Sequence, residues 1–285
     1  MATLKDYKGD TATWCPGCGH FSVLAGIQRA CIAMGLEPHE VAVITGIGCS
    51  GKVSEYMRCY GFHTLHGRSL PVAQAVKLAN RGLKVVAAGG DGDGYGIGVG
   101  HFTHAARRNV DITYIVLDNQ IYGLTKGQTS PTSKQGFVSR TSPEGAGEQE
   151  VRPLELALGA GASFVAQVFA GDIKRMTEII QQAMNHEGFA LVNVFSPCVT
   201  YNNTYTYFKE EPLLDLKDVP DYDPTDLNNA YNIVLKNNGR VQGVIYQNNR
   251  PAYHTFLAGY PEEPIAFRSI EPDQDVLNEL WAEFK

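Results

Sequence analysis

The alternation of short apolar segments with helical patterns constrains the fold of this chain more than any other feature. Five apolar runs rich in β-branched residues have the length and composition of strands buried on both faces. They lie at Val41–Thr45, Val85–Gly89, Ile112–Leu117, Phe164–Phe169 and Ala190–Phe195. Helical patterns precede or separate them at His20–Met34, Ser69–Asn80, Val99–Arg108 and Ile173–His186. Strands that alternate with helices predict an α/β fold with a doubly wound, mostly parallel sheet.

Composition and charge exclude several functional classes. Apolar residues make up 44% of the chain and charged residues 19%, which is typical of a soluble globular protein. The net charge of −6 disfavours non-specific binding to nucleic acid. No uninterrupted apolar stretch is long enough to span a membrane. The polar start at Met1–Asp10 lacks the apolar core of a signal peptide, so we expect a cytoplasmic protein.

The strand–helix pattern stops near residue 200. We therefore predict one ligand-binding domain over residues 1–199 and an irregular C-terminal extension over 200–285, in contact with a partner. A solvated, partly disordered tail is the alternative, which the many aromatic residues of this segment disfavour. Within the domain, Thr125–Gln149 is rich in Gly, Ser, Thr and Pro and is predicted to be a mobile loop.

Three loops that follow predicted strands carry polar and glycine residues. They are Gly46–Gly51, Gly89–Gly100 and Asp118–Thr132, and ligands of such sheets bind at the carboxyl ends of strands. Asp91 offers a carboxylate and Asn119 a neutral side-chain oxygen. Mg²⁺ prefers hard oxygen ligands and often bridges to phosphates, and glycines let the backbone approach those phosphates. The sequence therefore predicts a magnesium and diphosphate site.

Three other interpretations of the Asp91 loop are weaker. A calcium-binding loop beginning there would need acidic residues where Tyr95 and Phe102 stand. A dinucleotide site is loosely matched by the glycines, but acidic residues inside a phosphate loop are unfavourable. A ligand-free Gly-Asp turn would explain Asp91 alone, but it does not explain the pairing with Asn119 at this spacing.

Four of the six cysteines are candidate metal ligands, whereas Cys31 and Cys59 are interpreted as small buried hydrophobic residues. Cys15 and Cys18 form a C-x₂-C pair, whereas Cys49 and Cys198 each follow a predicted strand. A thioredoxin-type motif would follow a strand, and no strand-like run precedes Cys15. Structural zinc and a four-iron cluster both use four thiolates, and the spacing alone does not separate them.

The loops together resemble a known family. The Gly-Asp-Gly and Asp-Asn pairs are similar to the thiamine diphosphate motif. The string GGDGDGYGIG from Gly89 and the string DNQIYGLTKGQ from Asp118 closely resemble β subunits of two-subunit 2-oxoacid:ferredoxin oxidoreductases. The similarity extends from Trp14 to about Thr132 and resumes near Cys198.

This resemblance implies three cofactors bound by particular residues. Magnesium would be held by Asp91, Asn119 and the carbonyl of Ile121. One 4Fe–4S cluster, rather than zinc, would be held by Cys15, Cys18, Cys49 and Cys198. Thiamine diphosphate would contact Gly48, Cys49, His66, Gly67, Gly90, Asp91, Gly92, Asp93, Asn119, Ile121, Gly123 and Leu124.

Three residues are expected at the substrate. A cation at Lys52 would hold the carboxylate of a 2-oxoacid, although a solvated lysine at a helix start is the alternative. Leu124 and Lys126 border the substrate pocket by resemblance. For His66 and Arg68, two interpretations fit equally well: contact with the diphosphate or a partner, or simple packing within a loop.

The resemblance also implies a reaction and an assembly. A 2-oxoacid and coenzyme A would react to give acyl-CoA and CO₂, with electrons leaving through the cluster to ferredoxin. 2-Oxoglutarate is favoured by the Gly-Leu-Thr-Lys-Gly-Gln string from Gly123, with pyruvate second. A larger α subunit would supply the pyrimidine-binding domain in an (αβ)₂ heterotetramer. A non-redox thiamine decarboxylase or carboligase subunit and a zinc-bound interaction module are the alternatives.

Overall fold

The computed structural model describes residues 1–261, 263–269 and 271–284. Over these residues, eight strands form a single sheet in the order β2-β1-β3-β4-β6-β5-β8-β7. The strands are β1 (Val41–Thr45), β2 (Tyr60–His63), β3 (Lys84–Gly90), β4 (Ile112–Asp118), β5 (Phe164–Phe169), β6 (Phe189–Phe195), β7 (Leu214–Asp215) and β8 (Val241–Gln247). Every pairing is parallel except that of β5 with β8. The predicted mostly parallel α/β sheet is confirmed.

Helices cover both faces of the sheet. The helices of the described residues are α1 (His20–Ala33), α2 (Val53–Tyr56), α3 (Ser69–Ala79), α4 (Val99–Arg108), α5 (Pro153–Gly159), α6 (Ile173–Asn185), α7 (Tyr205–Glu210), α8 (Leu227–Lys236) and α9 (Gln274–Glu283), of which α9 buries no residue. One core cluster joins α1 and α6 to one face, through residues such as Ile27 and Ile179. A second cluster joins α3, α4, α5 and α8 to the other face, around Phe102 and Leu154. The sheet is therefore buried between two helical layers, which is why its strands are apolar on both faces.

The segment after residue 199 is more regular than the predicted irregular extension. Strand β8 pairs antiparallel with β5, and β7 pairs with β8, so these two strands extend the sheet beyond β5. Helix α8 buries Ala230 and Val234 in the second core cluster. Alternate residues of β8 are buried, among them Val241 and Ile245, so this strand lacks the continuous apolar run that identified the others. The domain boundary at residue 199 stays a prediction.

The long segment Thr125–Gln149 contains no helix or strand, and the structure describes each of its residues. It is fixed at several points by hydrogen bonds within the segment, such as Gly136 N to the Ala146 carbonyl at 2.7 Å. Its mobility stays a prediction. None of the described helices is long and apolar enough to cross a membrane.

Candidate active site

The loops that follow β1, β3 and β4 meet at one edge of the sheet, because these three strands are parallel neighbours. They enclose a pocket of about 140 Å³. Its lining residues are His20, Ile47, Gly48, Cys49, Ser50, His66, Gly90, Asp91, Gly92, Asp93, Leu117, Asn119, Ile121, Tyr122, Gly123, Leu124 and Thr125. Every residue predicted to contact thiamine diphosphate is in this set except Gly67. Loops that are far apart in sequence therefore converge as the parallel-sheet argument predicted.

Asp91 is buried beside a second carboxylate. It is 2% exposed, and its Oδ2 accepts hydrogen bonds from Ser130 Oγ and from Thr132 Oγ1, the latter at 2.8 Å. Thr132 Oγ1 also lies 2.8 Å from Asp118 Oδ1. Burial raises the pKa of Asp91, and burial together with the charge of Asp91 raises the pKa of Asp118 to about 7. A bound divalent cation would offset this accumulation of negative charge, so the site fits Mg²⁺.

The two other residues predicted to bind magnesium, Asn119 and Ile121, line the same pocket as Asp91. Asn119 follows the end of β4, and its Oδ1 accepts a hydrogen bond from the backbone N–H of Ile121 at 3.1 Å. Asn202 holds the same turn by donating its side-chain amide to the Asn119 carbonyl at 3.0 Å. A carboxylate, an amide oxygen and a backbone carbonyl are the hard donors that Mg²⁺ prefers. The chemistry of this donor set agrees with the predicted magnesium site.

Two glycines of the pocket are favoured for different reasons, one by its backbone conformation and one by a close side chain. Gly48 has a φ of +106°, which side chains rarely adopt. A Cβ at Gly92 would lie 2.0 Å from the Tyr122 ring, so any side chain there would collide with the wall of the pocket. Glycine at these two positions therefore leaves room for a ligand to approach the backbone.

The four predicted cluster cysteines converge next to this pocket. A Cβ on Gly123 would lie 3.6 Å from Cys198 Sγ and 3.8 Å from Cys49 Sγ. Burial, together with the neighbouring thiols of Cys198, Cys49 and Cys15, raises the pKa of Cys18 to about 11. No disulfide links them. The four thiols are therefore close enough to influence one another through space.

These thiols are not arranged around a single ion. Within residues 1–261, 263–269 and 271–284, no three His, Cys, Asp or Glu side chains form a group that could hold one metal ion. Zinc would need all four sulfurs at about 2.3 Å from one centre. In a four-iron cluster each thiolate binds a different iron, so the sulfurs lie farther apart. The assignment of these thiols to a cluster or to zinc stays a prediction.

The predicted substrate residues are only partly brought together. Leu124 lines the pocket and is 51% exposed. Lys52 lies outside the lining, where its Nζ donates to Thr13 Oγ1 at 3.1 Å and its charge lowers the pKa of Cys49, which burial raises. Lys126 is exposed, also outside the lining, with a φ of +78°. Their roles at the substrate stay predictions.

The sequence interpretation missed the hydroxyl residues that hold Asp91. Ser130 and Thr132 lie 39 and 41 residues after Asp91 in the sequence. It also missed His20, whose Nδ1 lies 2.7 Å from Ser196 Oγ at the pocket wall. Burial lowers the pKa of His20 to about 4. No local pattern marks these residues, because each acts through contacts between distant segments.

Comparison with known families agrees with the geometry. Residues 46–194 match the family described as thiamine pyrophosphate enzyme, C-terminal TPP binding domain. Residues 198–262 match the family described as the C-terminal part of the beta chain of pyruvate ferredoxin oxidoreductase. The fold and the pocket thus define the chain as a thiamine-diphosphate-binding oxidoreductase subunit.

Two relatives show to which family of oxidoreductase subunits the chain belongs. The chain is 47% identical over 227 residues to the 2-oxoacid:ferredoxin oxidoreductase subunit beta of Saccharolobus solfataricus, covering 79% of this chain and 73% of the relative. It is 43% identical over 188 residues to the 2-oxoglutarate synthase subunit KorB of Archaeoglobus fulgidus, and the aligned region covers 66% of this chain and 70% of the relative. This chain belongs to the β subunits of the 2-oxoacid:ferredoxin oxidoreductases. The predicted family, fold and enzyme class are confirmed.

A solved structure is similar over nearly the whole chain. It is the 2-oxoglutarate:ferredoxin oxidoreductase from Magnetococcus marinus with 2-oxoglutarate, coenzyme A and succinyl-CoA bound. The TM-score is 0.89 and the sequence identity 41%, with coverage of 98% of this chain and 96% of the other.

Proposed function

We propose that the chain is the β subunit of an enzyme that oxidises 2-oxoglutarate with coenzyme A and passes the electrons to ferredoxin. One molecule each of the 2-oxoacid and CoA, with two oxidised ferredoxins, gives acyl-CoA, CO₂, two reduced ferredoxins and a proton. The observation that carries the proposal is Gly123, which lines the cofactor pocket and lies against the sulfurs of Cys49 and Cys198. The site of carbon–carbon cleavage would then lie beside the proposed cluster, which accepts electrons one at a time.

The protein's own residues would hold and orient the diphosphate. Asp91, Asn119 and the Ile121 carbonyl would supply oxygen ligands to Mg²⁺. The backbone around Gly48 and Gly90–Gly92 would approach the phosphates. Bound thiamine diphosphate supplies the carbanion chemistry that decarboxylates a 2-oxoacid. Ser130 and Thr132 would keep the Asp91 carboxylate in place by their hydrogen bonds to Oδ2.

The cysteines would hold one 4Fe–4S cluster beside this pocket. Cys49 would belong to both sites, because this proposed cluster ligand also lines the pocket. The indole N–H of Trp14 donates to the Cys49 carbonyl at 2.7 Å and so fixes the loop that carries this thiol. None of the six cysteines forms a disulfide, and the cytoplasmic location stays a proposal.

Replacing Cys198 with serine is expected to separate cleavage from electron transfer. The cluster should be lost, so ferredoxin reduction should fall to background, while decarboxylation survives in part because the cofactor pocket remains. The assay compares ¹⁴CO₂ release with ferredoxin reduction by the complete complex. The control is Cys59→Ser, since Cys59 is a half-buried thiol outside the four and should keep both activities. Full ferredoxin reduction by a cluster-free Cys198→Ser enzyme would exclude the electron relay.

Lys52→Ala is expected to raise the KM for the 2-oxoacid about ten-fold or more, because a charge-assisted contact is worth roughly 1.5–3 kcal/mol. Steady-state kinetics with 2-oxoglutarate and with pyruvate would measure the effect and also show which acid is preferred. Lys236→Ala is the matched control, since Lys236 is an exposed lysine on α8. An unaltered KM in Lys52→Ala would assign Lys52 to the surface contact with Thr13 alone.

2-Oxoglutarate is the favoured acid for two reasons. The solved neighbour holds 2-oxoglutarate and succinyl-CoA, and one relative is named a 2-oxoglutarate synthase subunit. Pyruvate is the second candidate, because the family that matches residues 198–262 is named for pyruvate.

The partner is proposed to be a larger α subunit in an (αβ)₂ heterotetramer. A β subunit implies such a partner, and the pocket described above offers groups for the diphosphate end of the cofactor. The pyrimidine end would then lie on the α subunit, so the cofactor would bind at an interface. Exposed apolar residues at the pocket support this, among them Ile47 and Leu124.

A further inference from the structure

The carboxylate of Asp93 connects three loops of the pocket. It is 2% exposed, and its Oδ1 accepts three hydrogen bonds. The donors are the backbone N–H of Gly67 at 2.7 Å, Nδ1 of His66 at 2.8 Å and the backbone N–H of Ile47 at 3.0 Å. One oxygen of the loop after β3 therefore fixes the loop after β1 and the turn that precedes α3.

The second oxygen of Asp93 is enclosed. Oδ2 is buried and has no hydrogen-bond partner within the described part of the chain. Two glycines form its walls: a Cβ on Gly46 would lie 2.0 Å from this oxygen, and a Cβ on Gly89 would lie 2.7 Å from it. The carboxylate thus has one oxygen occupied by donors and the other turned into the protein. Although the residue borders the pocket, its side chain offers no oxygen to a ligand there.

His66 is the group that Asp93 presents to the pocket. Its side chain is 37% exposed and lines the pocket. An ionised carboxylate only accepts hydrogen bonds, so the Nδ1 that faces Asp93 must carry the proton. This leaves Nε2 as the ring nitrogen available to a ligand, in an orientation that the Asp93 contact fixes. Because diphosphate oxygens only accept hydrogen bonds, the ring that binds the cofactor must be the imidazolium, which also carries a proton on Nε2.

We propose that Asp93 is a positioning residue for the cofactor diphosphate, and that it acts through His66. It fixes the imidazole and the backbone amides of Ile47 and Gly67 without touching the cofactor. This inference rests on the proposed function and changes the expectation that Asp93 itself binds the cofactor. A negative side chain is tolerated beside a diphosphate because its charge is taken up by three donors and shielded from the pocket.

A double-mutant cycle on the complete αβ complex tests this inference. Thiamine diphosphate affinity is measured by calorimetry in the presence of Mg²⁺ for wild type, Asp93→Asn, His66→Ala and the double variant. Each single variant should bind about ten-fold more weakly or worse, because a hydrogen bond to a charged group is lost or loosened. The double variant should bind within about three-fold of the weaker single variant, because both changes remove the same contact.

Independent effects would contradict the inference. If Asp93 only stabilised the loops, the two losses would multiply, to roughly 100-fold for two ten-fold effects. Wild-type affinity in Asp93→Asn would also overturn it. Asp10→Asn is the matched control, since Asp10 is exposed, and it should bind the cofactor normally.

A second variant keeps the inference testable if Asp93→Asn does not assemble. His66→Asn can still donate to Asp93 but lacks the nitrogen that faces the pocket, so it should lose affinity as His66→Ala does. Wild-type affinity in His66→Asn would overturn the inference. A wild-type complex that binds no thiamine diphosphate would overturn the proposed function itself. A wild-type complex that binds it, together with an Asp93→Asn variant of equal affinity, would overturn only the role of Asp93.

Discussion

Asp91→Ala is expected to abolish measurable thiamine diphosphate binding. The substitution removes the charged magnesium ligand, and the diphosphate then enters the pocket without a bound cation. Breaking a buried ionic contact costs about 3–5 kcal/mol, which corresponds to an affinity loss of a hundred-fold or more. Asn119→Ala should lose less affinity, because a neutral ligand is removed. Calorimetric titration of each variant in the complete complex, with Mg²⁺ present, measures both effects.

The ligand-free protein provides the control for this prediction. Asp91 and Asp118 are two buried carboxylates with one hydroxyl, that of Thr132, within 2.8 Å of both. Removing one of them relieves repulsion, so Asp91→Ala should not lower the melting temperature of the cofactor-free complex. A variant that melts normally and binds thiamine diphosphate with unchanged affinity would show that the magnesium site is assigned to the wrong residue.

The purified single chain is expected to be inactive. Thiamine must be deprotonated at its reactive carbon, and in thiamine enzymes a glutamate of a separate pyrimidine-binding domain assists this step. One sheet holds all the described strands, and one segment, residues 46–194, matches a thiamine-binding domain. The proposed partner chain would supply the second half of the site.

Expression with and without the α subunit measures this dependence. CoA-dependent viologen reduction should appear only when both chains are present, with the lone β chain at the level of a no-enzyme blank. The Asp91→Ala complex serves as a control for assembly without catalysis. Robust turnover by the single chain would show that it holds a complete thiamine site, and the subunit interpretation would be wrong.

The sequence predicted the centre of the fold well because burial on both faces leaves a clear signal. Strands β1 and β5 begin and end where the sequence predicted, and the other three predicted strands differ by one residue at one or both ends. Asp172 caps α6 by accepting a hydrogen bond from the backbone N–H of Arg175. Since the parallel strands fix where their following loops lie, the convergence of Asp91 and Asn119 followed from the same pattern.

Elements with weaker burial were not predicted. Strand β2 lies at the edge of the sheet and all four of its residues are exposed, so no apolar run marks it. Strand β8 alternates buried and half-buried residues. The supports of the site were missed for another reason: Ser130, Thr132 and the enclosed carboxylate of Asp93 act through contacts between distant loops. Such contacts depend on the folded arrangement and leave no local spacing to recognise.

The central claim is that one chain combines a thiamine diphosphate site with an iron–sulfur cluster. Metal and thiamine analysis of the anaerobically purified complex tests it most directly. The account predicts four iron atoms bound through the cysteines of each β chain, together with thiamine diphosphate and magnesium. Thiamine without iron would indicate a non-redox thiamine enzyme, and zinc without thiamine would indicate a structural metal module. Either result would contradict the account.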